Sequence, residues 1–182
     1  MYRFKAAAQN ESIVFGAARP GYTEKEVSDW IDFMVEQDIQ RVCCLLTKSS
    51  LGNYSNLVET YRQKFGIDRI VWAPIEDFHL CDLPMLTQQI LPFLTTAARQ
   101  QQKVVVHCSG GIGRTGHILA AWLVYQHRYS NRQAIATVIK MGRNPYESTI
   151  FGLFKGKNIF TSIHELNLML NQSRSHNRSI EC

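Results

Sequence analysis

The feature that most constrains the fold is an alternation of short β-branched runs with longer segments of helical periodicity. Such runs, bounded by turn residues, are typical of buried strands. Four strands are predicted, at Ile13–Phe15, Val42–Leu46, Ile70–Ile75 and Val104–Val106. Strands that alternate with helices form a mostly parallel sheet with helices on both faces, so we expect a single-domain α/β protein. Ligands of such sheets bind beyond the carboxyl ends of the strands.

The predicted helices carry recognisable start signals. Thr23 precedes Glu26, and Ser130 precedes Gln133, at the spacing of a capping box. Residues 16–21 are predicted to form a loop. Pro92 falls inside a helix predicted from about Pro84 to Gln102, and we expect it to kink or split that helix. The apolar positions of helical period are Val27, Trp30, Ile31, Met34, Leu57, Tyr61, Phe65, Leu86, Ile90, Leu94, Ala97, Ile118, Ala121, Trp122, Tyr125, Ile135, Val138 and Ile139.

Length and composition favour one domain over residues 1–182, because 182 residues with 45% hydrophobic content suit a single core. We expect the core to span about residues 10–170 and the polar tail, residues 171–182, to fray. No apolar run approaches the roughly 20 residues of a membrane span, and residues 1–5 do not lead into a signal peptide. A cytoplasmic protein without membrane association is therefore expected.

The cysteines point to reduced thiols. Five cysteines at irregular spacing do not form a disulfide framework, and no C-x-x-C or H-x-x-x-H pair starts a zinc site. We therefore expect no bound metal.

Acidic residues are absent from a long central stretch. Residues 83–146 contain no Asp or Glu but seven Lys or Arg, whereas the whole chain has a net charge of only +5. A basic helical segment would explain this pattern. A binding site for an anion is the alternative interpretation.

The segment His107–Gly116 lies inside that stretch and joins the last predicted strand to a helix. Its glycines let the backbone curl so that amide groups converge, and the following helix N-terminus favours an anion. Arg114 offers a planar fork for two phosphate oxygens. Cys108 faces the same amides and guanidinium, which stabilise a thiolate. A thiolate beneath a bound phosphate is a nucleophile toward phosphorus.

Other interpretations of this segment were compared. A lone cysteine after a buried strand is commonly an inert core residue. Gly111–Gly116 also matches G-x-G-x-x-G, but the acidic residue that a dinucleotide site needs about 20 residues later is missing. No Gly-Lys-Ser or Gly-Lys-Thr is present, which excludes a Walker loop.

The run from His107 to Gly116 resembles the H-C-x5-R-[ST]-G signature of the cysteine-based protein tyrosine phosphatase superfamily, in its small dual-specificity-like branch. The resemblance extends over about residues 40–150. It implies that Cys108 attacks phosphorus and forms a phosphocysteine, that Thr115 eases breakdown of this intermediate, and that His107 orients the loop by hydrogen bonding. It also implies that the phosphoryl oxygens are bound by Ser109, Gly110, Gly111, Ile112, Gly113 and Arg114. No metal or other cofactor is required.

The same resemblance requires a general acid on the loop after the preceding strand. Pro74-Ile75-Glu76-Asp77 resembles the P-x-x-D form of the family, so Asp77 is the first choice. Asp82 is second and Glu76 third, and the alternative is that the aspartates only cap or turn the loop.

The substrate remains open at this point. The loop sequence is close to that of tyrosine-specific members, whereas the chain length matches the dual-specificity group, so a phosphorylated protein is the expected partner. Phosphoinositide or RNA 5′-phosphate hydrolysis, and non-catalytic phosphate binding, are the alternatives. The sequence has no stretch in which basic and aromatic residues interleave, so it does not indicate nucleic-acid binding.

Five further residues have an interpretation. Cys43 or Cys44 is a candidate for a protective disulfide with Cys108, or a small buried hydrophobe. Arg143 begins a segment that resembles a loop near the pocket of the superfamily. His117 and His127 are predicted to lie on helix surfaces without a role.

Overall fold

The computed structural model describes residues 2–149 and 159–180. Its sheet has five strands in the order β1-β2-β5-β3-β4. β1 is antiparallel to β2, and all other pairs are parallel. The strands are β1 (Lys5–Ala6), β2 (Val14–Ala18), β3 (Ile39–Cys44), β4 (Ile70–Trp72) and β5 (Lys103–Cys108).

Helices connect the parallel strands. They are α1 (Glu24–Glu36), α2 (Lys48–Leu51), α3 (Leu57–Phe65), α4 (Leu83–Met85), α5 (Leu91–Arg99), α6 (Gly113–Gln126), α7 (Asn131–Lys140) and α8 (Ile159–Ile180). Short 3₁₀ turns lie at Ile67–Arg69 and Pro145–Thr149, and a π-helical turn lies at Leu86–Ile90. None of the described helices is long and apolar enough to cross a membrane.

Helices cover both faces of the sheet, as predicted. α1 and α3 pack against one face through Trp30 and Tyr61, which meet Val105 of the central strand. α5, α6 and α7 cover the other face, where Leu119 and Val106 are part of the larger core cluster. The result is a single-domain α/β fold with β5 buried in the middle of the sheet.

Both predicted capping boxes are present. The Thr23 hydroxyl accepts a hydrogen bond from the amide of Glu26, whose carboxylate accepts one from the Thr23 amide. Ser130 and Gln133 form the same pair at the start of α7. Pro92 was predicted to kink or split its helix, and the helical segment changes character there without a break. The π-helical turn directly precedes α5, which has Pro92 in its first turn.

The parts of the chain that differ from the sequence-based prediction include β2, β4 and the end of α8. Gly16, expected to open a loop, lies within β2, and a Cβ there would be 2.8 Å from atoms of Thr115 and Arg143. Gly16 therefore allows Thr115 and Arg143 to pack closely against β2, and it does not form a turn. β4 is shorter than predicted and ends at Trp72. Of the polar tail expected to fray, residues 171–180 instead continue α8 to Ile180 and Ser173 is buried, whereas residues 181–182 lie outside the described residues.

Candidate active site

The candidate site lies where β5 ends and α6 begins. Cys108 is the last residue of β5, and the 108–114 loop carries the chain into the first turn of α6. β5 lies between β2 and β3, so this loop emerges at the carboxyl edge of the sheet with parallel strands on both sides. Cys108 is almost completely buried there.

Two donors point at the Cys108 sulfur. The Gly111 amide lies 3.2 Å from Sγ, and the Thr115 hydroxyl lies 3.1 Å from it. Gly111 has φ +67°, and a Cβ at this position would lie 2.5 Å from the carbonyl oxygen of Ala17. Only glycine fits this turn, which brings the amide beneath the sulfur. Both donors stabilise negative charge on sulfur.

Arg114 connects the loop to the segment that follows β4. Its guanidinium is buried and donates a 2.9 Å hydrogen bond from Nη1 to the carbonyl oxygen of Ile75. Nη2 donates to Ser109 Oγ at 2.8 Å and forms an ion pair with the carboxylate of Asp77. Arg114 is thus fixed in the same cluster as the loop backbone and an acidic residue from a separate loop.

A cavity of about 80 Å³ opens over this cluster. Its walls are formed by Asp77, Phe78, Cys108, Gly110, Ile112, Gly113, Arg114 and Glu147. Larger cavities of about 500 and 580 Å³ lie elsewhere on the described surface, and neither is lined by residues of the 108–114 loop. The small cavity is therefore the one that reaches the Cys108 thiol.

The three acidic candidates for the general acid all lie on the 76–82 loop, but their surroundings differ. Asp77 lines the cavity and pairs with Arg114. Asp82 is instead the N-cap of α4, where its carboxylate accepts a 2.8 Å hydrogen bond from the Met85 amide. Glu76 is exposed and does not line the cavity. Phe78 has φ +61°, which is unusual for a bulky residue, and nearly half of its surface is exposed beside the cavity.

His107 is placed differently from the prediction. Neither ring nitrogen has a hydrogen-bond partner among the described residues. The ring is completely buried between Trp30 and Tyr61, with ring centroids 5.2 and 5.6 Å away. Burial, followed by the charges of Arg114 and Arg19, lowers the pKa of His107 to about 3. A neutral His107 therefore supports the loop through packing.

The prediction for His117 was wrong, since this residue is completely buried rather than on a helix surface. Its Nε2 accepts a 3.1 Å hydrogen bond from the amide of Cys81, at the end of the 76–82 loop. Burial lowers the pKa of His117 to about 3, so it remains a neutral acceptor. His117 therefore ties the loop that carries Asp77 to α6. His127 is 40% exposed and contacts Glu11, away from the cavity.

Arg143 fastens the opposite side of the 108–114 loop. Its guanidinium is buried and donates hydrogen bonds to the carbonyl oxygens of Gly111, Gly16 (2.6 Å) and Arg3 (2.8 Å). Burial lowers the pKa of Arg143 to about 10, which leaves it charged at neutral pH. The segment predicted to lie near the pocket therefore contacts the loop itself.

Glu147 is an acidic cavity residue that the sequence analysis missed, as it also missed Phe78. Glu147 lies in the 3₁₀ turn Pro145–Thr149 and contributes to the cavity wall together with Asp77. Glu147 is the first acidic residue after the acid-free stretch, and it follows the Arg143 segment closely. This position in the sequence is the signal that could have identified Glu147 as a candidate site residue.

Cys43 and Cys44 are buried in β3 on opposite faces of the sheet, each within a hydrophobic cluster. Burial raises the pKa of Cys44 to about 12 and that of Cys43 well above its ordinary value. Neither thiol is ionised at neutral pH.

Among residues 2–149 and 159–180, no group of three His, Cys, Asp or Glu side chains is arranged to hold a metal ion.

Comparisons with known proteins agree with this geometry. Residues 33–153 match the family model described as dual specificity phosphatase, catalytic domain. The human dual specificity protein phosphatase 5 is 32% identical over 63 residues, which cover 35% of this chain and 16% of that protein. Protein 123R of Invertebrate iridescent virus 6, which carries a provisional assignment as a tyrosine phosphatase, is 30% identical over 104 residues, or 50% of this chain and 72% of the viral protein.

Solved structures share the fold. The crystal structure of Tk-PTP in the active form has a TM-score of 0.67 at 23% identity, covering 91% of this chain and 96% of that one. The crystal structure of PTPMT1 in complex with PI(5)P has a TM-score of 0.69 at 14% identity, covering 94% and 97%. At these identities the likeness concerns the fold alone. The family model covers well over half of the residues, and the chain therefore belongs to the dual specificity phosphatase catalytic-domain family.

Proposed function

We propose that the protein hydrolyses phosphate monoesters through a phosphocysteine on Cys108, without a metal. The observation that carries this proposal is the sulfur environment. Cys108 Sγ receives hydrogen bonds from the Gly111 amide and the Thr115 hydroxyl at the base of a cavity that Arg114 also lines. These donors favour the thiolate, which is the attacking form of cysteine.

Each remaining group has a place in the reaction. Arg114 and the backbone amides of residues 109–114 bind the phosphoryl oxygens and the charge that develops on them. Asp77 lines the cavity and donates a proton to the leaving oxygen. Thr115 donates its hydroxyl hydrogen to sulfur as the thiolate leaves in the second step. This arrangement supplies the electrostatic stabilisation that a metal provides in other phosphatases.

We further propose that the substrate is a phosphorylated protein side chain, phosphotyrosine or a dual-specificity set. Phe78 and Ile112 give the cavity two apolar walls suited to the carbon atoms next to the phosphate. Asp77 and Glu147 also line it. A phosphoinositide or RNA end would bring further phosphates toward these two carboxylates, which repel them. The acidic wall therefore favours a monoester without neighbouring phosphates.

The test is hydrolysis of an aryl phosphate in the presence of a chelator. Wild type is expected to be active, and Cys108→Ser is expected to abolish turnover, because the serine hydroxyl remains protonated. Cys43→Ser, a buried cysteine outside the cavity, is the matched control and is expected to keep its activity. Activity that survives Cys108→Ser contradicts the mechanism. A panel of phosphotyrosine, phosphoserine and phosphoinositide substrates tests the substrate class, and preference for the lipid contradicts that part.

A further inference from the structure

Glu147 is an acidic side chain at a site built for an anion. It lines the same cavity as Cys108 and Arg114, and its side chain is half-buried. A carboxylate beside a phosphate weakens phosphate binding by repulsion. Such a group is useful at this position if it exchanges a proton during the reaction.

The turn that carries Glu147 follows a residue that is hydrogen-bonded to the 108–114 loop. Arg143, four residues earlier, donates a hydrogen bond to the carbonyl oxygen of Gly111. Gly116 of α6 lets the turn approach closely, since a Cβ there would lie 3.1 Å from the Pro145 nitrogen. The Glu147 amide itself donates to the carbonyl oxygen of Asn144 at 3.1 Å. The Glu147 carboxylate is thus carried by a turn whose position relative to Cys108 is fixed by these contacts.

The two acidic residues of the cavity differ in their partners. Asp77 forms an ion pair with Arg114. Within the residues that the structure describes, no cation lies within ion-pairing distance of the Glu147 carboxylate. Glu147 is therefore a cavity carboxylate without an ion pair, and it can accept a proton without first leaving a cation. In the second half of the reaction, water must enter the cavity opposite the sulfur and lose a proton.

We propose that Glu147 is the general base that activates this water, so that the two proton transfers are divided between two carboxyl groups. In the first step the Cys108 sulfur bonds to phosphorus, the bond from phosphorus to the ester oxygen breaks, and Asp77 protonates that oxygen. In the second step water bonds to phosphorus, the sulfur–phosphorus bond breaks, and Glu147 takes the water proton. Cys108 leaves as a thiolate, and both carboxyl groups re-equilibrate with solvent. This inference rests on the proposed phosphocysteine mechanism.

Rapid-quench kinetics with phenyl phosphate separate the two steps. For Glu147→Gln we expect a burst of phenol equal to the enzyme concentration, followed by steady turnover about 100-fold slower than wild type. Mass spectrometry after acid quench is expected to show phosphorylated Cys108. Asp77→Asn is expected to show no burst, since its first step is the slow one. Glu76→Gln, an exposed acid on the 76–82 loop outside the cavity, is the matched control and should behave as wild type.

The burst amplitude counts folded active sites, so a misfolded variant is recognised at once. Glu147→Asp is a second variant, expected to regain part of the steady rate. Unchanged turnover in Glu147→Gln overturns the proposal, and so does slow phenol release without phosphoenzyme. A raised KM confined to phosphopeptides with neighbouring Lys or Arg would make Glu147 a substrate contact and also overturns it. If wild type forms no phosphocysteine while folded, the proposed function fails instead.

Discussion

The clearest quantitative prediction concerns Glu11, a buried acidic residue far from the cavity. Its Oε1 accepts a 2.8 Å hydrogen bond from the Ile13 amide. Its Oε2 accepts hydrogen bonds from Trp122 Nε1 at 2.8 Å and from His127 Nε2 at 2.7 Å. These contacts fasten the segment between β1 and β2 to the end of α6. Replacing Glu11 with Gln keeps the shape of the side chain and removes its charge.

The expected loss of stability follows from the pKa of Glu11. Burial alone would raise this pKa, but the hydrogen bonds from His127, Trp122 and Ile13 outweigh it and lower the pKa from 4.5 to about 2. A lowered pKa stabilises the fold above pH 4.5, and this stabilisation is lost as the pH falls from 4.5 to 2. The full shift corresponds to about 3 kcal/mol. Since His127 is 40% exposed, screening by solvent reduces the expected value to about 2 kcal/mol.

Urea unfolding followed by tryptophan fluorescence measures the effect. At pH 7 we expect Glu11→Gln to lower the free energy of unfolding by about 2 kcal/mol. The difference from wild type should shrink below pH 4.5 and vanish near pH 2, where Glu11 itself is protonated. Glu36→Gln, at an exposed position in α1, is the control and should match wild type throughout. A difference that stays constant between pH 7 and pH 2, or that is absent at pH 7, refutes the argument.

Three further substitutions test the site. Arg143→Met should lower the free energy of unfolding by at least about 3 kcal/mol and reduce kcat/KM at least 10-fold, because three carbonyl oxygens lose a buried donor; thermal melting and steady-state kinetics measure this. Gly111→Ala should abolish activity through its backbone clash, whereas Gly142→Ala, with φ +84° and open space around it, should cost only about 1–2 kcal/mol in chemical denaturation. Asp77→Asn should lower kcat about 100-fold and tighten inhibition by inorganic phosphate by roughly 5-fold, because Arg114 loses its ion pair; unaltered inhibition would contradict that contact.

Local signals in the sequence predicted much of the fold. The capping boxes at Thr23 and Ser130 depend on residues three positions apart, so they are visible without a structure. The helical face of α1 was also found, because one side of that helix is buried and the other exposed. These elements need no information from distant parts of the chain.

The sequence-based prediction was wrong or incomplete where contacts between distant parts of the chain determine the structure. α6 is buried at every position from Gly113 to Tyr125, so periodicity could not show that His117 points inward. β1 has only two residues and exists because it pairs with β2. Glu147 reaches the cavity because Arg143 fastens its turn to the loop at Gly111, a contact across 32 positions. The candidate nucleophile Cys108 and its loop could be predicted because they are contiguous in the sequence, whereas the acidic residues of the cavity come from separate segments.

The ion pair between Arg114 and Asp77 has a consequence for turnover. On the proposed mechanism, an incoming phosphate must displace the Asp77 carboxylate from the Arg114 guanidinium. Because Asp77 is part of the chain, its carboxylate stays close to the guanidinium after displacement. The same exchange runs in reverse once inorganic phosphate has formed, because the returning carboxylate competes with the product for Nη2 of Arg114. On the proposed mechanism, we expect Asp77 to act as an internal competitor that weakens substrate binding slightly and speeds product release. Progress curves should accordingly stay linear to higher phosphate concentrations in the wild type than in Asp77→Asn.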